Sequence, residues 1–269
     1  MTRETADNQT KRVALVTGAS SGIGYELCKL FATDRIDLVL VARDVERLSR
    51  IADELRAATG ISATIMGIDL ADPAGPDEVW RRVHEAGLTV EYLVNNAGFG
   101  TFGLFVETGT EATLNLLQVN IHALTHLTAL FLPGMVERRS GRIMNVASTA
   151  AFQAGPLMST YYASKAYVLH FSEAIAEELE GKGVSVTALC PGPTVTEFHT
   201  RAHMETSGLV VDRRAMSAET VAEIGYRGMM RGKTLVIPGL VNKLLTIVVR
   251  LAPRKFVARF VHRMQEERS

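Results

Sequence analysis

From residue 13 to residue 237, short apolar runs rich in β-branched residues alternate with segments whose apolar positions recur at helical spacing. The pattern predicts strands over 13–17, 37–42, 63–68, 92–95, 142–147, 184–189 and 235–237. It predicts helices over 23–33, 45–58, 78–86, 111–136 and 159–180. The strands are apolar almost throughout rather than alternating, so both of their faces are buried, which implies a parallel sheet with helices on both sides. Right-handed crossovers then give an α/β, doubly wound sheet whose ligands bind at the carboxyl ends of the strands. No linker or repeat interrupts residues 12–239, which are expected to form one domain behind a polar tail, 1–11.

The last thirty residues read differently. Residues 244–249 are apolar on every side, and Pro253 ends that run. Beyond it Phe256, Val257, Phe260, Val261 and Met264 recur at helical spacing, with Lys255, Arg259 and Arg263 in a row beside them. Residues 240–269 are therefore expected to be an amphipathic, basic helical extension. It either packs over a ligand mouth or another subunit, or lies on an anionic membrane surface.

Charge and cysteine content remove several classes of function. Twenty-nine Lys and Arg balance 29 Asp and Glu, so the basic footprint of a nucleic-acid binder is missing. Cys28 and Cys190 cannot build a disulfide scaffold and fit no metal-binding spacing. With no secretory signal at the start of the sequence, reduced thiols and a cytoplasmic location are expected, with peripheral membrane contact as the variant. The charge-free stretches 112–136 and 143–164 both carry polar residues and are not expected to span a membrane.

The first strand runs into TGASSGIG, where Gly18, Gly22 and Gly24 precede a helix, together with Ser20, Ser21 and Ile23. Glycine lets the chain turn tightly and lets a pyrophosphate reach the amides, while the helix N-terminus supplies donors and partial positive charge. The segment is expected to bind a dinucleotide. At the tip of the second strand an acid would accept the ribose hydroxyls of NAD(H), but Ala42 is followed by Arg43. A guanidinium there suits a 2′-phosphate, so NADP(H) is preferred and NAD(H) remains possible. Asp44 weakens that argument slightly. Asp69 after the third strand is a candidate acceptor for the adenine amino group. Asn96, Ala97 and Gly98 after the fourth strand allow close approach of a cofactor.

Tyr161 and Lys165 lie four residues apart at the start of a predicted helix, so both project from one face. An ammonium beside a phenol is expected to lower the phenol's pKa toward the range of a working proton donor. Ser148, thirteen residues earlier at a strand end, can hydrogen-bond a reacting oxygen. In order along the chain, TGASSGIG, NNAG, Asn120, Ser148, Tyr161-x-x-x-Lys165 and PGPTVT resemble the short-chain dehydrogenase/reductase family, over about 13–237. The resemblance implies a single Rossmann-type domain and NAD(P)(H)-dependent hydride transfer between carbonyl and alcohol. It implies Tyr161 as general acid/base, with Lys165 tuning it and holding the nicotinamide ribose, and Ser148 orienting the substrate oxygen. Asn120 would hold a water in the proton relay, and Thr196, after Pro191 and Gly192, would touch the nicotinamide amide. The family's spacings select Tyr161 over Tyr162, which is expected to be packing or pocket lining.

The expected function is therefore reduction of a hydrophobic ketone or aldehyde. An alcohol dehydrogenase working oxidatively uses the same residues, and a dinucleotide-binding scaffold without turnover is the reading from another class. His122/His126 and His199/His203 are spaced four apart, but two ligands do not make a metal site, and no metal is expected. Residues 197–215 resemble the family's variable substrate loop. Phe102, Phe105, Leu157, Met158, Phe198 and Met204 are candidates for an apolar pocket, or for core. The small-molecule substrate is joined by a second expected partner, since family members form dimers or tetramers: another copy of the chain.

Overall fold

The structure, a computed structural model, describes residues 12–196 and 215–266. The strands are β1 (Arg12–Thr17), β2 (Asp37–Ala42), β3 (Ala63–Gly67), β4 (Thr89–Asn95), β5 (Gly141–Val146), β6 (Val184–Leu189), β7 (Thr194–Val195), β8 (Met216–Ser217) and β9 (Leu235–Val236). Seven of them form one parallel sheet in the order β3-β2-β1-β4-β5-β6-β9, and β7 pairs with β8 separately. The helices are α1 (Gly22–Thr33), α2 (Val45–Thr59), α3 (Gly75–Glu85), α4 (Thr110–Leu117), α5 (Leu124–Glu137), α6 (Ser159–Glu178), α7 (Ala218–Met230), α8 (Leu240–Leu251) and α9 (Arg254–Glu266).

The pleat divides each strand between two cores. Val16, Leu38, Leu40, Val94, Met144 and Leu189 face α1, α2 and α7, where Leu27, Phe31, Leu48 and Tyr226 meet them. Val13, Leu15, Val39, Leu93, Ile143 and Val186 face α3, α5 and α6, against Val79, Val83, Leu127, Phe131 and Leu179. Chain order leaves β1 in opposite directions on its two sides, toward β2 and toward β4. The crevice between the carboxyl ends of β1 and β4 is the switch point where such sheets bind ligands.

Every strand predicted from the pattern is present, with β4 starting earlier, at Thr89. The single helix expected over 111–136 is two helices joined by a π-helical segment, Gln118–Ala123. Asn120 sits inside that segment and is all but fully buried. Its side-chain amide donates to Phe99 O at 3.0 Å and Ser164 Oγ at 3.1 Å, and its Oδ1 accepts Phe99 N at 3.1 Å. A one-residue widening of a helix leaves the hydrophobic period almost intact, so the sequence pattern does not display it. Thr110–Glu137 is also long and apolar enough to cross a membrane, but Leu116, Leu124, Leu127, Phe131 and Met135 are buried within the fold.

Helix α7 and the short pair β7–β8 lie outside the predicted elements. The helix was legible: Ser217 caps it by accepting Thr220 N at 3.1 Å, and Val221, Ala222, Gly225, Tyr226 and Met229 form its buried stripe.

At Gly24 close approach is obligatory. A Cβ there would strike the carbonyl oxygen of Gly18 and lie 2.5 Å from Asn96 Nδ2. Neither neighbour can yield, since Asn96 Nδ2 is tied to Thr17 O at 2.9 Å and Gly18 O at 3.2 Å. Gly24→Ala is expected to destabilise the fold by about 1–3 kcal/mol through overpacking, read as a lower urea midpoint at unchanged slope.

Candidate active site

Gly18 has φ +63°, in the left-handed region, and a Cβ on it would sit 2.8 Å from Asn96 Nδ2. The turn is thereby pressed against the end of β4, where Thr17 Oγ1 accepts the amides of both Asn96 and Ala97 at 3.0 Å. Ser21 opens α1 without a side-chain cap, and the first turn carries no acid. The amides at the head of α1 thus keep their capacity for an anion. Thr196 comes over the same turn, its Cγ2 3.1 Å from where a Gly22 Cβ would lie.

Along the sheet edge, Asp44 Oδ1 accepts Arg47 N at 2.9 Å as the N-cap of α2. This gives the carboxylate next to Arg43 a structural task of its own. The guanidinium pairs loosely with Asp69, Arg43 Nη1 and Asp69 Oδ2 being 4.0 Å apart and both side chains largely exposed. Asp69 also accepts Ala71 N at 3.0 Å. Such an exposed, loose pair contributes little energy and leaves Arg43 able to turn toward another anion.

A cleft of about 1830 Å³ runs across this edge. Single small-molecule sites hold roughly 300–1,000 Å³, so two ligands fit side by side. Its walls include Gly18, Ser20, Ser21, Gly22, Ile23, Arg43, Asp69, Asn96, Ala97, Gly98, Pro191, Gly192 and Thr196. Ser148, Tyr161 and Lys165 line it too. The glycine turn, the uncapped helix and Arg43 together form a donor set fit for a phosphorylated dinucleotide. Of the other predicted residues, Gly24 packs behind the turn. Asn120 lies behind Gly98, where a Cβ would come 3.0 Å from Asn120 Oδ1 and 3.4 Å from Lys165 Nζ.

Ser148 ends the β5 segment in an extended conformation and caps a short 3₁₀ turn, its Oγ accepting Ala150 N at 3.1 Å. It hydrogen-bonds the Tyr161 side chain. Lys165 is almost wholly buried, donates to Val146 O at 2.7 Å and stands 5.8 Å from the Tyr161 ring centroid. Here the structure corrects the expected electrostatics. The Tyr161 pKa is raised, not lowered, because burial disfavours the phenolate more than the Ser148 hydrogen bond favours it. Burial acts on Lys165 as well, bringing it down to about 8. The pair is thus a neutral phenol above an ammonium that discharges in the mildly alkaline range. The Cys190 thiol nearby is pushed up to about 12 by burial, so it is an inert filler rather than a nucleophile.

Tyr162 lines the same cleft, its ring centroid 6.1 Å from that of Tyr161, but its hydroxyl is engaged elsewhere. Its ring fills the space beside Gly155, and its hydroxyl accepts Gln265 Nε2 at 3.0 Å. Gln265 is a cleft residue that the sequence reading missed. It is buried at the end of α9, and its Oε1 has no hydrogen-bond partner among the described residues. The available signal was its spacing, four residues beyond Val261 and eight beyond Val257 on the buried face of the helix.

The remaining candidates separate by burial. Met158 is buried at the cleft and Phe102 packs in the same cluster, whereas Phe105 is exposed and Leu157 does not line the cleft. His126 Nε2 lies 3.3 Å from Asp77 Oδ1, and His122 Nδ1 3.0 Å from the Gln118 amide. No group of three or more His, Cys, Asp or Glu among the described residues could hold a metal ion. Phe198, His199, His203 and Met204 lie outside the described residues.

The sequence model of the short chain dehydrogenases matches residues 12–206. The chain belongs to the short chain dehydrogenase family. As a short chain dehydrogenase it is an enzyme of the class that interconverts CH–OH and C=O groups. A short-chain dehydrogenase from Sphingobium yanoikuyae, solved in complex with NADPH, superposes with a TM-score of 0.81 at 34% identity, covering 91% of this chain and 94% of that one. A short chain dehydrogenase of Pseudocercospora fijiensis is 35% identical over 189 residues, 70% of this chain and 61% of its own length. The 17-beta-hydroxysteroid dehydrogenase type 3 of Mus musculus is 36% identical over 181 residues, 66% of this chain and 58% of its own. The chain thus spans about three-fifths of the length of these two curated relatives.

Proposed function

We propose that this short chain dehydrogenase is an NADP(H)-dependent reductase of a hydrophobic ketone or aldehyde. The observation that carries the reading is the buried Tyr161 hydroxyl, bonded to Ser148 and backed by Lys165, in a cleft it shares with the glycine turn and Arg43. The dinucleotide, when bound, supplies the hydride. The chain's own residues handle the oxygen. Tyr161 stays protonated at neutral pH and gives its proton to the carbonyl oxygen as negative charge grows there. The Ser148 hydroxyl holds that oxygen in line. Lys165, charged below about pH 8, stabilises the phenolate left behind and offers donors to the nicotinamide ribose. Asn120, whose side chain is engaged by Phe99 and Ser164, sets the π segment beside Lys165 and would hold a relay water.

Two observations support an apolar substrate. Val241, Leu245 and Val248 on α8, with Phe256 and Phe260 on α9, wall the cleft. The mouse relative is named for a steroid. Separately from the substrate, the exposed Leu114 on α4 and Tyr167 on α6 supply apolar surface for the dimer or tetramer that accompanies this reading.

NADPH oxidation followed over a panel of aliphatic, aromatic and polycyclic ketones tests the proposal, and no turnover with any of them would remove it. For the cofactor, Arg43→Ala is expected to raise the KM for NADPH about tenfold, the scale of a hydrogen bond to a charged group at an exposed site, and to leave that for NADH nearly unchanged. Equal changes for both cofactors would take the 2′-phosphate role from Arg43.

A further inference from the structure

We propose that the α8–α9 face docks the protein on an anionic lipid surface, with the mouth of the cleft turned toward the hydrocarbon. On α8, Leu240, Leu244, Ile247 and Leu251 form one row at helical spacing and are exposed by 87%, 62%, 51% and 84%. A folded chain seldom leaves four large aliphatic side chains together in water. The opposite side of the helix, with Thr246 buried, holds it to the protein. Turning from the row toward the cleft, Val241, Leu245 and Val248 continue the apolar surface and are themselves about half exposed. Phe256, Phe260 and Met264 on α9 carry it on along the cleft mouth.

Charge identifies the occupant. Lys255, Arg259 and Arg263 each precede one of those α9 side chains, so a basic row runs beside the apolar one, and all three are exposed. Lys243, Arg250 and Arg254 add to it. Between 240 and 266 the sole acid is Glu266, which is engaged by His262 at 3.2 Å. A second copy of the chain would bring the same positive face against this one, and like charges would meet across a two-fold axis. An anionic membrane offers headgroups to the basic row and hydrocarbon to the leucines, at the depth an interfacial helix reaches. The apolar band also passes without a polar break into the cleft, so an apolar ketone dissolved in the bilayer could enter without crossing water. That last step rests on the carbonyl-reductase reading, whereas the docking does not.

Co-sedimentation of the full chain with phosphatidylcholine vesicles, with and without phosphatidylglycerol, tests the docking. Binding is expected to the anionic vesicles and to weaken with salt. The triple variant Lys255→Gln, Arg259→Gln, Arg263→Gln is expected to lose about a hundredfold in partitioning, the sum of three near-surface charges. The triple variant Leu244→Ser, Ile247→Ser, Leu251→Ser, whose sites lie off the cleft, is expected to lose binding while keeping its circular dichroism, its Tm and its turnover of a water-soluble ketone. Equal partitioning of wild type and both variants would overturn the proposal. So would absence of vesicle binding together with a particle that halves in mass when the three apolar residues are changed, the result expected of a self-association face. Vesicle binding without turnover of any ketone would leave the docking standing and remove the proposed function alone.

Discussion

Tyr161→Phe is expected to lower turnover of the best ketone by about 10²–10⁴-fold, the range of a lost general acid. The substitution removes one hydroxyl from a buried ring, so the cavity is unchanged in shape and the KM for NADPH is expected to hold. Tyr162→Phe is the matched control. It also removes one hydroxyl, from the adjacent residue, but that hydroxyl faces Gln265 and not Ser148. Its cost is expected in stability, about 1–2 kcal/mol for the amide left without a partner, with turnover within a few-fold of wild type. Stopped-flow single turnovers separate chemistry from product release in both. If Tyr162→Phe rather than Tyr161→Phe abolished reduction, the register of the active site would be wrong by one residue.

Lys165→Met is the second large effect, and its sign with pH follows from burial. An ammonium taken out of water loses hydration, so its folded value, about 8, lies below its ordinary 10.5. Reductive kcat/KM in the wild type is expected to be level below pH 8 and to fall above it as Lys165 discharges, while Tyr161 remains protonated. Lys165→Met is expected to lose about 10²–10³-fold near neutral pH and to flatten that limb, because no ammonium is left to titrate. Stability moves the other way. Between about pH 8 and 10.5 the unfolded chain binds the proton more readily than the folded one, so the penalty for burying the charge disappears and stability rises. A profile with no limb near pH 8 in the wild type, or the same limb in the methionine variant, would exclude Lys165 as the titrating group.

The direction of these shifts bears on how the enzyme works. Phenol and ammonium share a buried site, the Lys165 Nζ 5.8 Å from the Tyr161 ring centroid, and desolvation is the largest cause of the shift of each. A phenol whose pKa is raised is a weaker acid, but it is fully protonated at neutral pH and so carries the proton that a carbonyl oxygen would need. Oxidation of an alcohol through the same residues would require the phenolate, and that form is the one burial penalises.

Much of this was present in the order of residues. Continuous apolar strands admit only a sheet buried on both faces. The glycine turn after the first strand could hold a pyrophosphate. The spacing from Ser148 to Tyr161 and Lys165 placed three reacting groups in one segment of chain. These are local properties, set by period, chirality and the conformations open to single residues, so they survive without knowledge of the fold. What the sequence could not contain were distances between groups far apart along it. The widening of the helix at Asn120 depends on Phe99, twenty-one residues away. The Tyr161 proton is held more tightly than a neighbouring lysine alone would suggest, because burial is a property of every element packed around it. The sequence of the last two helices favoured packing over the substrate mouth or another subunit and left membrane contact open, since amphipathicity records that a face is apolar and not what lies against it. Tertiary structure decided that their inner faces wall the cleft, because only the folded chain brings Gln265 to Tyr162 across 103 residues of sequence.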